Sequence, residues 1–399
     1  SKTDFQQPGL TVLTVPKTGS EQLKLAMVVR MFDPAGGGLE LYAFKLVQAL
    51  LQKGHKVTVL CQESKTDFQQ PGLTVLTVPK TEKKLSKVER LNYNYEELSK
   101  LLAAHRFDLV HSQHCPVKGA DLVTFHQHTV KRFSISGDPL ERLFNEVKLQ
   151  LAKPYKLRLK QDEELLKSAK LRIFVSQICR RDYYETYGIK DEVRFPYLIV
   201  PPGAERQSPV KTEEEPTTFT FLFIGKGYRK KGLDTLYKAC ALLKKDGLKF
   251  KLLVVGMKDS PGNRMTARLH NLSDEVELLG FQRDLENIKD RSQVIVVPSK
   301  CEAFGMSPIE AMLKGVPAIV SSMAGVTEVL EDGVDSLILH EHLDHHELAR
   351  HMRKLMEDKR FLSSLKQKAM EKAATVTWEN TVELTERAYR QVLKQGAAF

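Results

Sequence analysis

No stretch of this 399-residue chain is apolar for long enough to cross a bilayer: the longest apolar runs, 219–225 and 294–298, fall far short of the roughly 20 residues a spanning helix needs. The first residues, Ser-Lys-Thr-Asp-Phe-Gln, lack the basic start and apolar centre of a secretory signal. Cysteine is scarce. The five present (Cys61, Cys115, Cys179, Cys240, Cys301) are scattered, odd in number and form no C-x-x-C pair, which excludes a disulfide scaffold and the common zinc modules and makes a reducing cytoplasm the simplest compartment. Low-complexity tracts are missing too, and 42% hydrophobic with 28% charged residues excludes a disordered or collagenous chain. No RRM, zinc-finger or helix-turn-helix signature is present, so no nucleic-acid partner is expected despite the net charge of +11. The segment 340–346 packs His and acidic residues together but shows neither H-E-x-x-H nor another nameable ligand spacing; a solvated turn is expected there, and no metal site.

What is present begins with an oddity. Residues 1–18 recur without change as residues 64–81. Old structural repeats diverge, so residues 1–23 are expected to be an addition outside the fold, with the first strand at 25–30. From there the pattern is apolar run, Gly36-Gly37-Gly38, a helical period over 39–53 and an apolar run at 56–60, which is a βαβ unit. Further apolar runs at 73–78, 109–111, 122–125 and 172–175 alternate with helical stretches and predict a mostly parallel, doubly wound sheet. A polar linker is expected over 205–216. A second series then starts at 219–224 and continues through a helix at 233–246, strands at 250–255, 276–279 and 294–297, a helix at 307–314 and a strand at 318–320. The chain therefore reads as α/β, with two Rossmann-like domains at 24–204 and 205–376, a last helix over 377–399 packing back on the first domain, and a ligand cleft at the carboxyl ends of the strands.

The densest chemical signal is 298–312, where Glu302 and Glu310 lie eight apart across a strand-to-helix turn. The backbone amides of Phe304, Gly305 and Met306 open that helix, where unpaired N–H groups and the positive dipole end favour a diphosphate. A carboxylate such as Glu310 can take the hydroxyls of a ribose. Gly37 and Gly38 permit close backbone approach to a phosphate, although the full G-x-G-x-x-G is missing and only Leu60-Cys61-Gln62-Glu63 stands where an oxidoreductase would place its ribose-binding acid. A nicotinamide-dependent oxidoreductase is thus the alternative from another enzyme class. His126 closes an apolar strand; His111 and His114 follow another and are weaker candidates.

Glu302-x7-Glu310 with Phe304-Gly305, followed by Gly315-Val316-Pro317 and the run Ala324-Gly325-Val326-Thr327-Glu328-Val329-Leu330, resembles the retaining family-four glycosyltransferases of GT-B fold. The likeness extends over most of the chain after residue 24, through Val175-Ser176, Pro202-Gly203, Gly256, Leu279-Gly280-Phe281 and Thr377-Trp378-Glu379. It implies a nucleotide diphosphate sugar as substrate, UDP-sugar favoured, with no cofactor and no metal. By the same resemblance Glu302 lies near the donor sugar, Glu310 holds the ribose, His126 stands beside the sugar and Gly37 and Gly38 face the donor diphosphate. In 225–232 (Gly-Lys-Gly-Tyr-Arg-Lys-Lys-Gly) Lys231 matches one cation of the family's basic pair, and its partner is Lys226 or Lys230. Such cations would neutralise the leaving diphosphate. Within the family, 32–40 and 228–234 resemble bacterial lipopolysaccharide core glycosyltransferases, which implies a glycolipid or saccharide acceptor in cell-envelope glycan synthesis; the Phe125-His126 element is closer to mannosyl- and N-acetylglucosaminyltransferases. The basic stretches 80–90 and 148–181 suit contact with anionic lipid at the inner face of the cytoplasmic membrane.

Overall fold

Seven apolar runs, β1 (Lys24–Phe32), β2 (Lys56–Ser64), β3 (Leu73–Thr77), β4 (Leu109–Ser112), β5 (Leu122–Phe125), β6 (Leu171–Phe174) and β7 (Tyr197–Ile199), pair in parallel in the spatial order β3-β2-β1-β4-β5-β6-β7. Each of β4, β5 and β6 is buried along its whole length, as expected when crossover helices cover both faces of a parallel sheet. The structure, a computed structural model, describes residues 22–135, 139–205 and 218–396. Six further strands, β8 (Phe219–Ile224), β9 (Phe250–Val255), β10 (Val276–Gly280), β11 (Val294–Val297), β12 (Ala318–Ser321) and β13 (Leu337–Leu339), form a second parallel sheet in the order β10-β9-β8-β11-β12-β13. Both orders reverse direction once, between β1 and β4 and between β8 and β11. Ligands of open α/β sheets bind at such reversals, outside the carboxyl ends of the strands.

The two sheets are not independent bodies. One apolar cluster runs from Val28 and Phe174 of the first sheet to Leu222, Phe304 and Val326 of the second domain. Polar contacts seal the same side: Ser176 Oγ donates to the carbonyl of Ala303, and the amides of Gln177 and Ile178 donate to the Glu328 carboxylate at 2.7 and 2.8 Å. The last helix, Trp378–Gly396, lies on the first domain. Tyr389 reaches His111 at 2.8 Å, Thr381 donates to the Pro201 carbonyl at 2.8 Å, and Lys53 pairs with Glu386 at 2.7 Å.

Several expectations shift in detail. Gln22 and Leu23 belong to the fold, since Gln22 donates to the Gly54 carbonyl and the Lys56 amide donates to that of Leu23; residues 1–21 and the linker core 206–217 lie outside the described residues. The helix expected over 307–314 is shorter, Ser307–Met312, because Gly315 at φ +78° turns the chain and Pro317 follows. Glu310 therefore sits in its first turn.

Candidate functional site

The carboxyl ends of β8 and β11 flank the reversal in the second sheet, so the loops 225–232 and 298–306 are neighbours for topological reasons, although about 70 residues separate them in sequence. Their backbones interlock. The Lys300 amide donates to the Lys230 carbonyl at 3.1 Å, and Gly232, at φ +73°, approaches so closely that a Cβ there would lie 1.9 Å from the Pro298 oxygen. Only glycine fits such a left-handed, crowded position.

This interlock delivers Lys231 to Glu302: the ammonium and the carboxylate form an ion pair, with side chains about a quarter exposed. The Glu302 backbone is held on its other edge by hydrogen bonds with Met323 and Gly325 at 3.1 Å each. Gly305 then turns the chain at φ +95°, facing the Glu302 side chain, and leads into the helix that carries Glu310. Phe304 is buried, and its carbonyl accepts from the Val326 amide at 2.9 Å; Met306 caps the helix. Glu310 acts electrostatically on Lys289, a lysine held below its ordinary range by burial, against which Glu310 and Glu286 pull upward. Lys230 is likewise held low, by partial desolvation first and by Lys231 besides, with Glu302 opposing. Lys226 points elsewhere, with its ammonium 4.8 Å from the centre of the Phe281 ring.

In the first domain, Gly37 caps the helix Gly38–Gln52 at the end of the loop after β1. Glu40 folds back over this loop, so a Cβ on Gly36 or Gly37 would meet its side chain at 2.6 or 3.0 Å, whereas Gly38 faces open space. His126, at the end of β5, lies 2.7 Å from the Gln113 amide oxygen and against the edge of Tyr42. Burial, helped by His114 and His111, pushes its pKa well below the ordinary value, so the ring is neutral. With Nε2 donating to Gln113, Nδ1 is left as an acceptor. The other two histidines are interior: His111 bridges Tyr389 and Thr124, with burial lowering its pKa to about 3, and His114 is held by Asp162 and Tyr183. They correct the weaker expectation of a role at the cleft.

Sequence reasoning missed Lys300, whose side chain is 3% exposed and whose ammonium binds Asp234 at 2.9 Å and Glu141, from the other domain, at 3.1 Å. Its place within the 298–312 motif was the available signal. The clamp formed by Glu328 was quoted in a motif but without a role, because its partners are backbone amides, which no residue type advertises.

Two family descriptions match successive parts of the chain: "Glycosyltransferase Family 4" over residues 36–202 and "Glycosyl transferases group 1" over residues 205–375. Together they span both domains, and the chain belongs to this family of nucleotide-sugar-dependent glycosyltransferases. A D-inositol 3-phosphate glycosyltransferase of Thermobifida fusca is 26% identical over 90% of this chain and 89% of its own length. Among solved structures, sucrose-phosphate synthase of Thermosynechococcus elongatus superposes with a TM-score of 0.75 at 19% identity, covering 94% of this chain and 100% of its own. WaaG, a glycosyltransferase involved in lipopolysaccharide biosynthesis, gives 0.72 at 18%, covering 92% and 99%. Anabaena HepE in complex with UDP-glucose gives 0.64 at 16%, covering 95% and 100%. These likenesses establish the GT-B fold.

Proposed function

We propose that the protein transfers a hexose, with retention of anomeric configuration, from a UDP-sugar to a glycolipid or saccharide acceptor in cell-envelope glycan synthesis, the lipopolysaccharide core being the favoured setting. The observation that carries this reading is the meeting of Lys231 and Glu302 at the strand-order reversal, beside the turn at Gly305, which faces the Glu302 side chain. Lys231 and Lys230 neutralise the leaving diphosphate; Lys230, which senses both Lys231 and Glu302, is the better partner than Lys226, which is engaged at Phe281. The amides of Phe304, Gly305 and Met306 face a phosphate, Glu310 takes the ribose, and Glu302 stands near the sugar. Neutral His126 accepts a sugar hydroxyl through Nδ1, and Gly37 and Gly38 let the first domain close on the donor. The bound UDP-glucose of HepE supports the choice of donor, and the name of WaaG supports the setting.

The acceptor end of the reading has its own support. Helix Pro139–Leu151 exposes Leu140, Leu143, Phe144, Val147 and Leu151 at 48–80%, all on one face by their spacing, with Arg142 and Lys153 nearby. Such a face suits the headgroup boundary of an anionic membrane. No helix among the described residues is long and apolar enough to cross one.

Thermal shift with UDP-, GDP- and ADP-glucose tests the donor: UDP-glucose is expected to stabilise most, and no response to any of the three sinks the reading. Product NMR tests retention, with inverted stereochemistry as the refuting result. Sedimentation with phosphatidylglycerol vesicles tests the membrane contact; binding is expected to fall in Phe144→Ser, and protein that stays in the supernatant at low salt refutes it.

A further inference from the structure

Between the domains lies a cavity of about 400 Å³. Its first-domain wall is one side of the helices Pro139–Leu151 and Lys153–Ser168, where Asn145, Lys148 and Tyr155 face inward; its second-domain wall is Arg229, Lys230 and Lys300. Four cations thus line it against a single carboxylate, Glu141. Glu141 and Asp234 together answer Lys300, Glu302 acts on Lys230, and the lining holds no further carboxylate to set against Lys148 and Arg229. The surroundings add to the excess. Arg158 acts on Lys230, and His342 is held below its usual range by burial and then by Lys300, Arg142 and Arg132. A recess walled by protein and lined by an excess of one sign of charge focuses its field and concentrates counter-ions.

The chamber adjoins the donor clamp and shares Lys230 with it. Neither Lys231, Glu302 nor Glu310 lines it, yet Lys230 and Cys301 place it one residue away from the Lys231–Glu302 pair. A group bound there touches the acceptor domain and stands next to the bond that breaks. Accordingly, and resting on the transferase reading, the geometry points to an acceptor that carries a phosphate group, seated in this chamber by Lys148 and Arg229, with the Asn145 amide and the Tyr155 hydroxyl as further donors. Lys148 also lies 5.8 Å from the centre of the Tyr155 ring, an arrangement that holds its ammonium at the chamber wall.

Isothermal titration of inorganic phosphate into the full chain saturated with UDP tests this. Phosphate is expected to bind in the presence of UDP and to bind about tenfold more weakly in Lys148→Ala and in Arg229→Ala, since each removes one charge-assisted contact, while UDP affinity stays unchanged in both. Phosphate that UDP displaces, or that binds both variants as it binds the parent, overturns the proposal. Glucose 6-phosphate and phosphatidylglycerol vesicles, added as competitors, separate the two sources of such a group: displacement by the first assigns the phosphate to a sugar, displacement by the second to a lipid headgroup, and displacement by neither overturns it. Because UDP binding is read in the same titrations, failure of the donor reading is seen separately from failure of the phosphate chamber.

Discussion

Replacing Gly232 by alanine should disable the enzyme without touching a substrate atom. The added Cβ would sit 1.9 Å from the Pro298 oxygen, whereas real Cβ contacts essentially never fall under 3.0 Å, so the loops 225–232 and 298–306 must part by about 1 Å. That displacement acts on the segment carrying Lys231 and Glu302, and a misplacement of this size costs on the order of a hundredfold in rate. The left-handed backbone at φ +73° adds about 1–2 kcal/mol of strain for any residue with a Cβ. Gly247 isolates that second effect: it has φ +79° but open space around its Cβ position. Gly247→Ala is expected to lose about 1 kcal/mol of stability and keep its kcat, whereas Gly232→Ala loses more stability and about a hundredfold in kcat. Urea melts and UDP-glucose turnover read both. If Gly232→Ala turns over at the parent rate, the two loops do not form the catalytic unit described here.

Lys231→Met should lower kcat by about 10²–10³ with a smaller effect on KM, since it removes a cation aimed at charge that develops in the transition state; a pure KM effect in steady-state kinetics would contradict that role. His128 carries a pH prediction: burial lowers its pKa, but the hydrogen bonds to Asp182 and Cys301 outweigh burial and raise it to about 9. Its contribution to stability is then complete below pH 6.5, declines as pH rises and is gone above about 9, with a ceiling on the order of 3 kcal/mol; Asp182→Asn should flatten urea-derived stability over that window. Glu328→Ala removes the carboxylate that bridges the domains through two amides, at a cost of about 1 kcal/mol for so exposed a group, and should open the cleft, seen as a larger radius of gyration by small-angle scattering. Tyr389→Phe removes the shorter of two contacts to Nδ1 of the buried His111 and should cost about 1 kcal/mol in urea unfolding, loosening the last helix while leaving the donor site intact.

The two sheets were legible because parallel strands buried on both faces must be continuous apolar runs, and the glycine-turned helices between them keep their own period. Boundaries were less so: the helix after Met306 ended early at a glycine, and Leu23 joined the fold although it follows a duplicated segment. Which residues gather at the strand-order reversal was readable where the signal is local, as with Lys231 and Glu302, since loops at strand ends hold their polar groups within a few positions. The choice between Lys226 and Lys230 as partner of Lys231 stayed open in the sequence, because both are lysines and only the folded loop sends Lys226 to the Phe281 ring.

By itself the sequence determined two Rossmann-like halves, because burial and turn chemistry repeat with short periods, and its motifs carried the resemblance to a glycosyltransferase family. Only the tertiary structure decided that His111 and His114 are interior, that Glu328 and Ser176 close the domains together, and that Lys148 and Arg229, 81 positions apart, share a chamber. Those facts depend on how far one domain rotates onto another, a quantity set by surfaces that meet across long sequence separations and written in no local pattern.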